Sequence, residues 1–362
     1  MKRILFITGD QSRTGGTERI CAAVANMFVD NELCVEILSL KGNNQSYFPL
    51  HPEVGLSSLK LDECNGLKLL FKASICIGQH LVKNRYSSII VVESLLFMFV
   101  APYCLINRSD TKVINWEHFN YDVSLGVKSR VLARWLAVKL ANHIVVITKS
   151  DKKKWQENFS IPDRKITQIY NLNPFDGLQA SVSKTSNNSK VILAAGRLTY
   201  QKGFDLLISS WSQIPQEKKN GWSLRIVGDG EDRDLLQSLI YKFKVESSVK
   251  LAGNAINMED EYKGAAVFVL SSRFEGFGLV LTEALSFGIP VISYDCPDGP
   301  AEIIDNFQNG ILVKHNDINS LTGALENFIT NKSLRSNLKA NTQKGLERFS
   351  SDTIFSQWLG LV

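Results

Sequence analysis

Short apolar runs alternate with helical patterns along most of the chain. In its first half, ILFIT (Ile4–Thr8), CVEILSL (Cys34–Leu40), SIIVV (Ser88–Val92), TKVINW (Thr111–Trp116) and HIVVIT (His143–Thr148) read as buried strands. TERICAAVANMF (Thr17–Phe28) reads as a helix after the first of them. The second half repeats the alternation with VILAAG (from Val191), LRIVG (from Leu224), VKLAG (from Val249), VFVLS (from Val267) and VISYD (from Val291). Helical stretches such as FDLLISSWSQI (Phe204–Ile214) and LVLTEALSFG (Leu279–Gly288) fall between these runs. Such alternation predicts α/β architecture, with parallel strands joined by crossover helices in two doubly wound, Rossmann-like units. A stretch rich in Pro, Gly, Ser and Asn, Asn171–Lys190, separates the halves. The expected division is residues 1–172, a linker at 173–190, a second domain at 191–349, and a final helical segment at 350–362. Doubly wound units bind ligands outside the carboxyl ends of their strands, so the chemistry is expected there.

One run, Ile89–Ile106, is apolar for nearly the length of a bilayer span. Glu93-Ser94 interrupts it early and Pro102 later, which favours a buried strand at Ile89–Val92 and a core-facing helix from Ser94. The short N-terminal run of MKRILFITGD fits a first strand and is too short for a signal peptide. Without secretion, the sequons at Asn107, Asn158, Asn187 and Asn331 have no meaning as glycosylation sites. The chain has 362 residues, six cysteines without metal-like spacing and a net charge of +5. These point to reduced thiols, a cytoplasmic location and no nucleic-acid partner, while leaving room for a patch facing anionic lipid. The helix KSRVLARWLAVKL (Lys128–Leu140), with Lys128, Arg130, Arg134 and Lys139, is the candidate for that patch; an ordinary amphipathic surface helix is the alternative.

Candidate chemistry gathers after four strands. RFEGFGLVLTE places Glu275 in a glycine-bearing loop and Glu283 inside an apolar helix. The helix start offers the amides of Phe277, Gly278 and Leu279 to an anion. A buried carboxylate needs partners; ribose hydroxyls would satisfy Glu283, as would a structural ion pair. Glu275 is expected on the rim, open to sugar hydroxyls or simply solvated. AAGRLTYQK brings Arg197 and Lys202 to the end of another strand, as a fork and a point charge suited to a diphosphate or as an exposed basic turn. In TGGTE, Gly15-Gly16 allows close backbone approach to phosphate or sugar, and Thr17 is a possible helix cap. His118 follows TKVINW, where a strand end favours function and the rarity of catalytic histidines favours structure. GDGEDRD (Gly228–Asp234) lacks the third glycine of a dinucleotide fingerprint, and its acids suit a helix start better than a metal.

Taken together, R-x4-K in RLTYQK and E-x7-E in EGFGLVLTE resemble the retaining glycosyltransferase family 4, of GT-B fold. IVGDGE, the LAG of VKLAG and GPAEII (Gly299–Ile304) carry the resemblance through about Val191–Val313. The first half resembles the family only in its opening strand, the glycine turn and the His118 position. DCPDGPAEII is most similar to bacterial O-antigen and capsule glycosyltransferases using UDP-hexoses or UDP-N-acetylhexosamines.

The resemblance implies that Glu283 holds the nucleoside ribose and that Glu275 faces the transferred sugar. Arg197 and Lys202 would hold the diphosphate, with the turn at Leu251–Asn254 near the base and His118 near an outer sugar hydroxyl. It also implies same-face transfer without a metal or other cofactor, a (lipid-linked) glycan acceptor on the first domain, and a C-terminal helix crossing back to that domain. The enzyme would sit in the cytoplasm or on the inner membrane face. Rival readings are an epimerase, distinguishable by its products without acceptor, and a non-catalytic nucleotide-sugar binder. A phosphorylase would require a cofactor-bearing lysine and a longer chain.

Overall fold

The computed structural model describes residues 2–106, 110–123, 129–176 and 189–362. Most of the expected linker lies outside those residues, as do Lys128 and the sequons at Asn107 and Asn187. The chain divides into two compact units, Met1–Pro174 with Phe349–Val362, and Phe175–Arg348.

The first unit runs β1 (Arg3–Thr8), α1 (Gly16–Asp30), β2 (Cys34–Ser39), β3 (Gly55–Ser58), α2 (Gly66–Lys83), β4 (Ser88–Val92), α3 (Phe97–Ile106) and β5 (Lys112–Glu117). It continues with α4 (Ser129–Leu140), β6 (His143–Val146), α5 (Lys149–Phe159) and β7 (Ile166–Gln168). The second runs β8 (Val191–Ala195), α6 (Phe204–Gln213), α7 (Gln216–Lys219), β9 (Ser223–Val227), α8 (Arg233–Lys242), β10 (Val249–Leu251) and α9 (Met258–Lys263). There follow β11 (Val267–Leu270), α10 (Leu279–Ser286), β12 (Val291–Tyr294), α11 (Pro300–Ile303), β13 (Gly310–Val313), α12 (Ile318–Thr330) and α13 (Lys332–Ala340). The last helix, α14 (Ser351–Leu359), belongs to the first unit.

Both sheets are parallel, in the orders β3-β2-β1-β4-β5-β6-β7 and β10-β9-β8-β11-β12-β13. Each is the doubly wound arrangement that the alternation predicts. Central strands such as β4 (SIIVV) and β11 (VFVL) are buried at every position, because helices cover both faces of a parallel sheet. Strand order reverses between β1 and β4 in one sheet and between β8 and β11 in the other. Crevices at such reversals are where open α/β sheets bind ligands.

The second core packs Leu207 and Trp211 of α6 with Ile226, Val269 and Leu325. The first includes a cluster of rings to which α14 contributes. Trp358 is fully buried, with its ring 5.1 Å from that of Trp116 and 6.0 Å from that of Phe28. Ser350 caps α14 by accepting from the Thr353 amide.

The run Ile89–Ile106 is β4, a 3-10 turn at Ser94–Leu96 and α3. Only the first half of α3 faces the core: Phe97, Val100 and Ala101 are buried, while Leu105 and Ile106 are exposed. Among the described residues no helix is long and apolar enough to cross a membrane. The cysteines are free thiols, three of them buried.

Candidate active site

In the second unit, two turns beside the β8/β11 reversal are tied together. The turn after β8 carries Arg197, which is exposed, and then a 3-10 turn at Tyr200–Lys202. The turn after β11 carries Ser272, Arg273 and Glu275. Arg273 forks onto the Asp205 carboxylate at 2.9 and 2.7 Å, donates to the Tyr200 carbonyl at 2.7 Å and lies 4.0 Å from the Tyr200 ring centre. The Arg273 amide donates to Gln201 O, Gln201 Nε2 to Phe274 O, and Ser271 Oγ to Lys202 O. Gly203 has φ +61, and a Cβ there would stand 2.1 Å from the Ser271 carbonyl. Glycine is required on both counts.

These ties place Lys202 against Glu275. Lys202 Nζ donates to Glu275 Oε1 at 2.6 Å, and Ser272 Oγ donates to the same oxygen at 2.6 Å. Glu275 is only 6% exposed, contrary to its expected place on a solvated rim. Its carboxylate turns inward because a cation and a hydroxyl receive it there, which offsets the cost of leaving water. Three residues on, Gly278 is the N-cap of α10, in the left-handed region with φ +92. The loop after β12 seats against the same place: a Cβ on Gly299 (φ +105) would lie 2.1 Å from the Phe277 carbonyl.

Glu283 lies within α10, 2% exposed, and accepts from the hydroxyl of the fully buried Tyr262 at 2.8 Å. The Tyr262 ring stacks on Phe287 at 5.3 Å, so α9 and α10 fix this carboxylate jointly. Asn254 is exposed just past the Gly253–Gly228 bridge. The glycines of GDGE serve backbone packing. A Cβ on Gly228 would meet Gly196 O at 2.0 Å, and one on Gly230 would meet Leu198 O at 2.4 Å. Asp232 stands at the N-cap position of α8, which begins at Arg233, without a side-chain capping bond. Among the described residues no group of His, Cys, Asp and Glu could hold a metal ion.

His118, Gly15 and Gly16 belong to the first unit. Gly15 is the N-cap of α1 and Gly16 its first residue. Thr17, a possible cap from the sequence, therefore lies inside the helix. Gly15 has an ordinary extended conformation, and the place a Cβ would take is filled by the Glu18 carboxylate, whose Oε2 would stand 2.1 Å from it. His118 follows β5 and is 7% exposed, its ring 4.3 Å from that of Trp116. Burial pushes its pKa down to about 3, and Nε2 has no partner among the described residues. A neutral imidazole can exchange a hydrogen bond with a hydroxyl.

Around it lies a charged layer missed by the sequence reading. Glu117 is fully buried; one oxygen accepts from the amides of His118 and Phe119 at 3.1 Å each, the other from Arg134 Nε at 3.2 Å. Arg134 also donates to the carbonyls of Tyr121 and Asn120. Arg130 pairs with Glu93 at 2.9 Å and stacks 4.3 Å from the Phe119 ring centre. Glu93 follows β4 with φ +84, and burial, then the charge of Glu117, raise its pKa to about 7 despite Arg130. Arg130 and Arg134 are each 3% exposed, which overturns their expected role on a lipid-facing side of the helix. The signal was present: Arg130, Ala133, Arg134 and Ala137 share one helical face.

The glycosyl transferases group 1 family model matches residues 179–345. An uncharacterized glycosyltransferase of Haemophilus influenzae is 28% identical over 362 residues, covering 100% of both chains. The amylovoran biosynthesis glycosyltransferase AmsD of Erwinia amylovora is 26% identical, with 99% of each chain covered. Among solved structures, Anabaena HepE in complex with UDP-glucose superposes with a TM-score of 0.79 at 19% identity, covering 99% of each chain. The GT-B fold, the R-x4-K and E-x7-E elements and these full-length likenesses agree. Residues 179–345 belong to the glycosyl transferases group 1 family (family 4), and the chain is a glycosyltransferase.

Proposed function

We propose that this glycosyltransferase moves a hexose or N-acetylhexosamine from a UDP-sugar to a glycan acceptor, lipid-linked, in bacterial surface polysaccharide synthesis (O-antigen, capsule or lipopolysaccharide). It does so in the cytoplasm, with retention and without a metal. The observation that carries this reading is the Lys202–Glu275 pair, held by interlocked turns just before the start of α10. The relative named for amylovoran biosynthesis supports the pathway class, and the UDP-glucose bound to HepE supports the donor class.

In this reading the nucleoside ribose meets Glu283, with Tyr262 holding the carboxylate in place. Asn254 and its turn lie near the base. Arg197, Lys202 and the amides of Phe277, Gly278 and Leu279 receive the diphosphate. As the anomeric C–O bond to phosphate breaks, negative charge grows on the leaving UDP, and these preorganised donors stabilise it. The acceptor oxygen bonds to the anomeric carbon on the same face, and its proton passes to a phosphate oxygen of the leaving group. Glu275 accepts from hydroxyls of the transferred sugar, and neutral His118 contacts an outer hydroxyl. Gly15 and Gly16 let the backbone at the end of β1 approach phosphate or sugar closely.

Thermal unfolding with UDP, GDP or ADP, with and without EDTA, tests the donor site in wild type and Glu283→Ala. UDP at about 100 times its Kd is expected to stabilise by about 2.7 kcal/mol, a rise of about 5–10 °C. That rise should survive EDTA and shrink in Glu283→Ala. A shift with GDP or ADP in place of UDP, or none with any, overturns the donor assignment.

A further inference from the structure

With Arg130 and Arg134 turned inward, α4 presents a different outer face. Val131, Leu132 and Trp135 are 62%, 50% and 48% exposed. α2 behaves similarly. Its Leu67, Phe71, Ile75 and Val82 are 73%, 67%, 58% and 76% exposed, and the helical repeat lines them up as one stripe while Ala73, Ile77 and Leu81 face the core. Between α2 and α3 lies an open groove of about 1560 Å³, lined also by Leu132 and Leu136 of α4. Isolated exposed apolar residues need no explanation, but a continuous apolar surface over three helices does.

Charge selects the occupant. None of α2, α3 and α4 contains an aspartate or glutamate. Exposed Lys68, Lys72 and Lys83 lie along one flank of the α2 stripe, and Lys139 is exposed on α4. Lysine is depleted where proteins meet proteins, whereas long lysine stems suit an apolar layer topped by anionic headgroups. A half-exposed Trp135 matches the preference of indole for that boundary. We infer that the α2–α3–α4 face of the first unit docks on the surface of a bilayer containing anionic lipid, its apolar stripe entering the headgroup–acyl boundary. Phe71, Ile75, Val82 and Leu132 meet the acyl chains there, and the lysines meet phosphate. No residue assigned to donor binding lies on this face.

Co-sedimentation of the full chain with vesicles tests the inference, using phosphatidylcholine alone and phosphatidylcholine with about 30% phosphatidylglycerol, at about 0.1 M salt. Wild type is expected to partition at least about tenfold more strongly onto the anionic vesicles. At about fivefold per lysine, Lys68→Gln/Lys72→Gln/Lys83→Gln should lose about 100-fold of that binding. Phe71→Ser/Val82→Ser should weaken binding to anionic vesicles while keeping the thermal shift with UDP, which reports folding and the donor site separately. No binding by wild type, or wild-type binding by both variants, overturns the inference. So does a stable dimer in sedimentation equilibrium that Phe71→Ser/Val82→Ser converts to monomer, since the face would then belong to a second copy.

Discussion

Each unit holds a buried carboxylate against a cation where a strand ends, yet the two pairs differ in how open the cation stands. Arg134 is sealed in the first unit, with side-chain exposures of 4% for Arg134 and 0% for Glu117, and its guanidinium nitrogens all donate to protein oxygens. Lys202 in the second is more open, at 19% against 8% for Glu275. It spends a single bond on the carboxylate, and an ammonium has three protons. A pair shut away from solvent can only hold a turn in shape. One with protons to spare, beside an open helix start, can meet a ligand.

The largest expected effect breaks the sealed pair. Glu117→Ala leaves Arg134 charged and buried, and should cost about 3–5 kcal/mol in chemical denaturation. Lys202→Met should instead act on chemistry, lowering turnover of sugar transfer about 10²–10³-fold with much less effect on the denaturation midpoint. Equal stability losses in the two variants would erase the proposed distinction. Tyr262→Phe removes one neutral donor from Glu283, and about 1 kcal/mol of stability should go with it; an unchanged midpoint would show that Glu283 finds another partner.

The smallest effect comes from pH, because two groups of the first unit oppose each other. His118 is neutral down to about pH 3 when folded but titrates near its ordinary value unfolded. The unfolded chain therefore binds the extra proton in between, and stability falls as pH drops through that window. Glu93, raised to about 7, keeps its proton in the folded state above the ordinary carboxylate range, so its contribution falls as pH rises from there toward 7. Between about pH 4.5 and 6.5 the slopes offset each other. Melting curves of Glu93→Gln should uncover the histidine slope and those of His118→Asn the glutamate slope; two flat profiles would contradict both assignments.

The apolar runs made the central strands legible, since a parallel strand buried on both faces has nowhere to place polar residues. Three edge strands escaped: β3 is GLSS and β7 is ITQ, short and half-exposed with too few apolar positions to register, and β13, GILV, is only four residues long. The candidate site was legible where chemistry and spacing coincide, as for Lys202 and Glu275, which contact each other across 73 residues. Direction was harder to read. Charged residues on α4 seemed destined for solvent because charge ordinarily goes there, and the partners that drew them inward, Glu93 and Glu117, come from other segments. Glu275 was misplaced for the same reason, since Ser272 and Lys202 determine its burial only after the turns close.

The position of α14 bears on how the polypeptide is made. Trp358 completes a ring cluster with Trp116 and Phe28, although some 240 residues separate Trp116 from Trp358. Synthesis proceeds from the N-terminus at about 5–20 residues per second, so the first unit waits about 12–50 s after Trp116 is made for its last aromatic partner. The second unit, continuous from Phe175 to Arg348, can close on the ribosome in the meantime. The portion translated first is therefore the last to mature, and a nascent chain stalled before Trp358 would present a finished second unit beside an unfinished first.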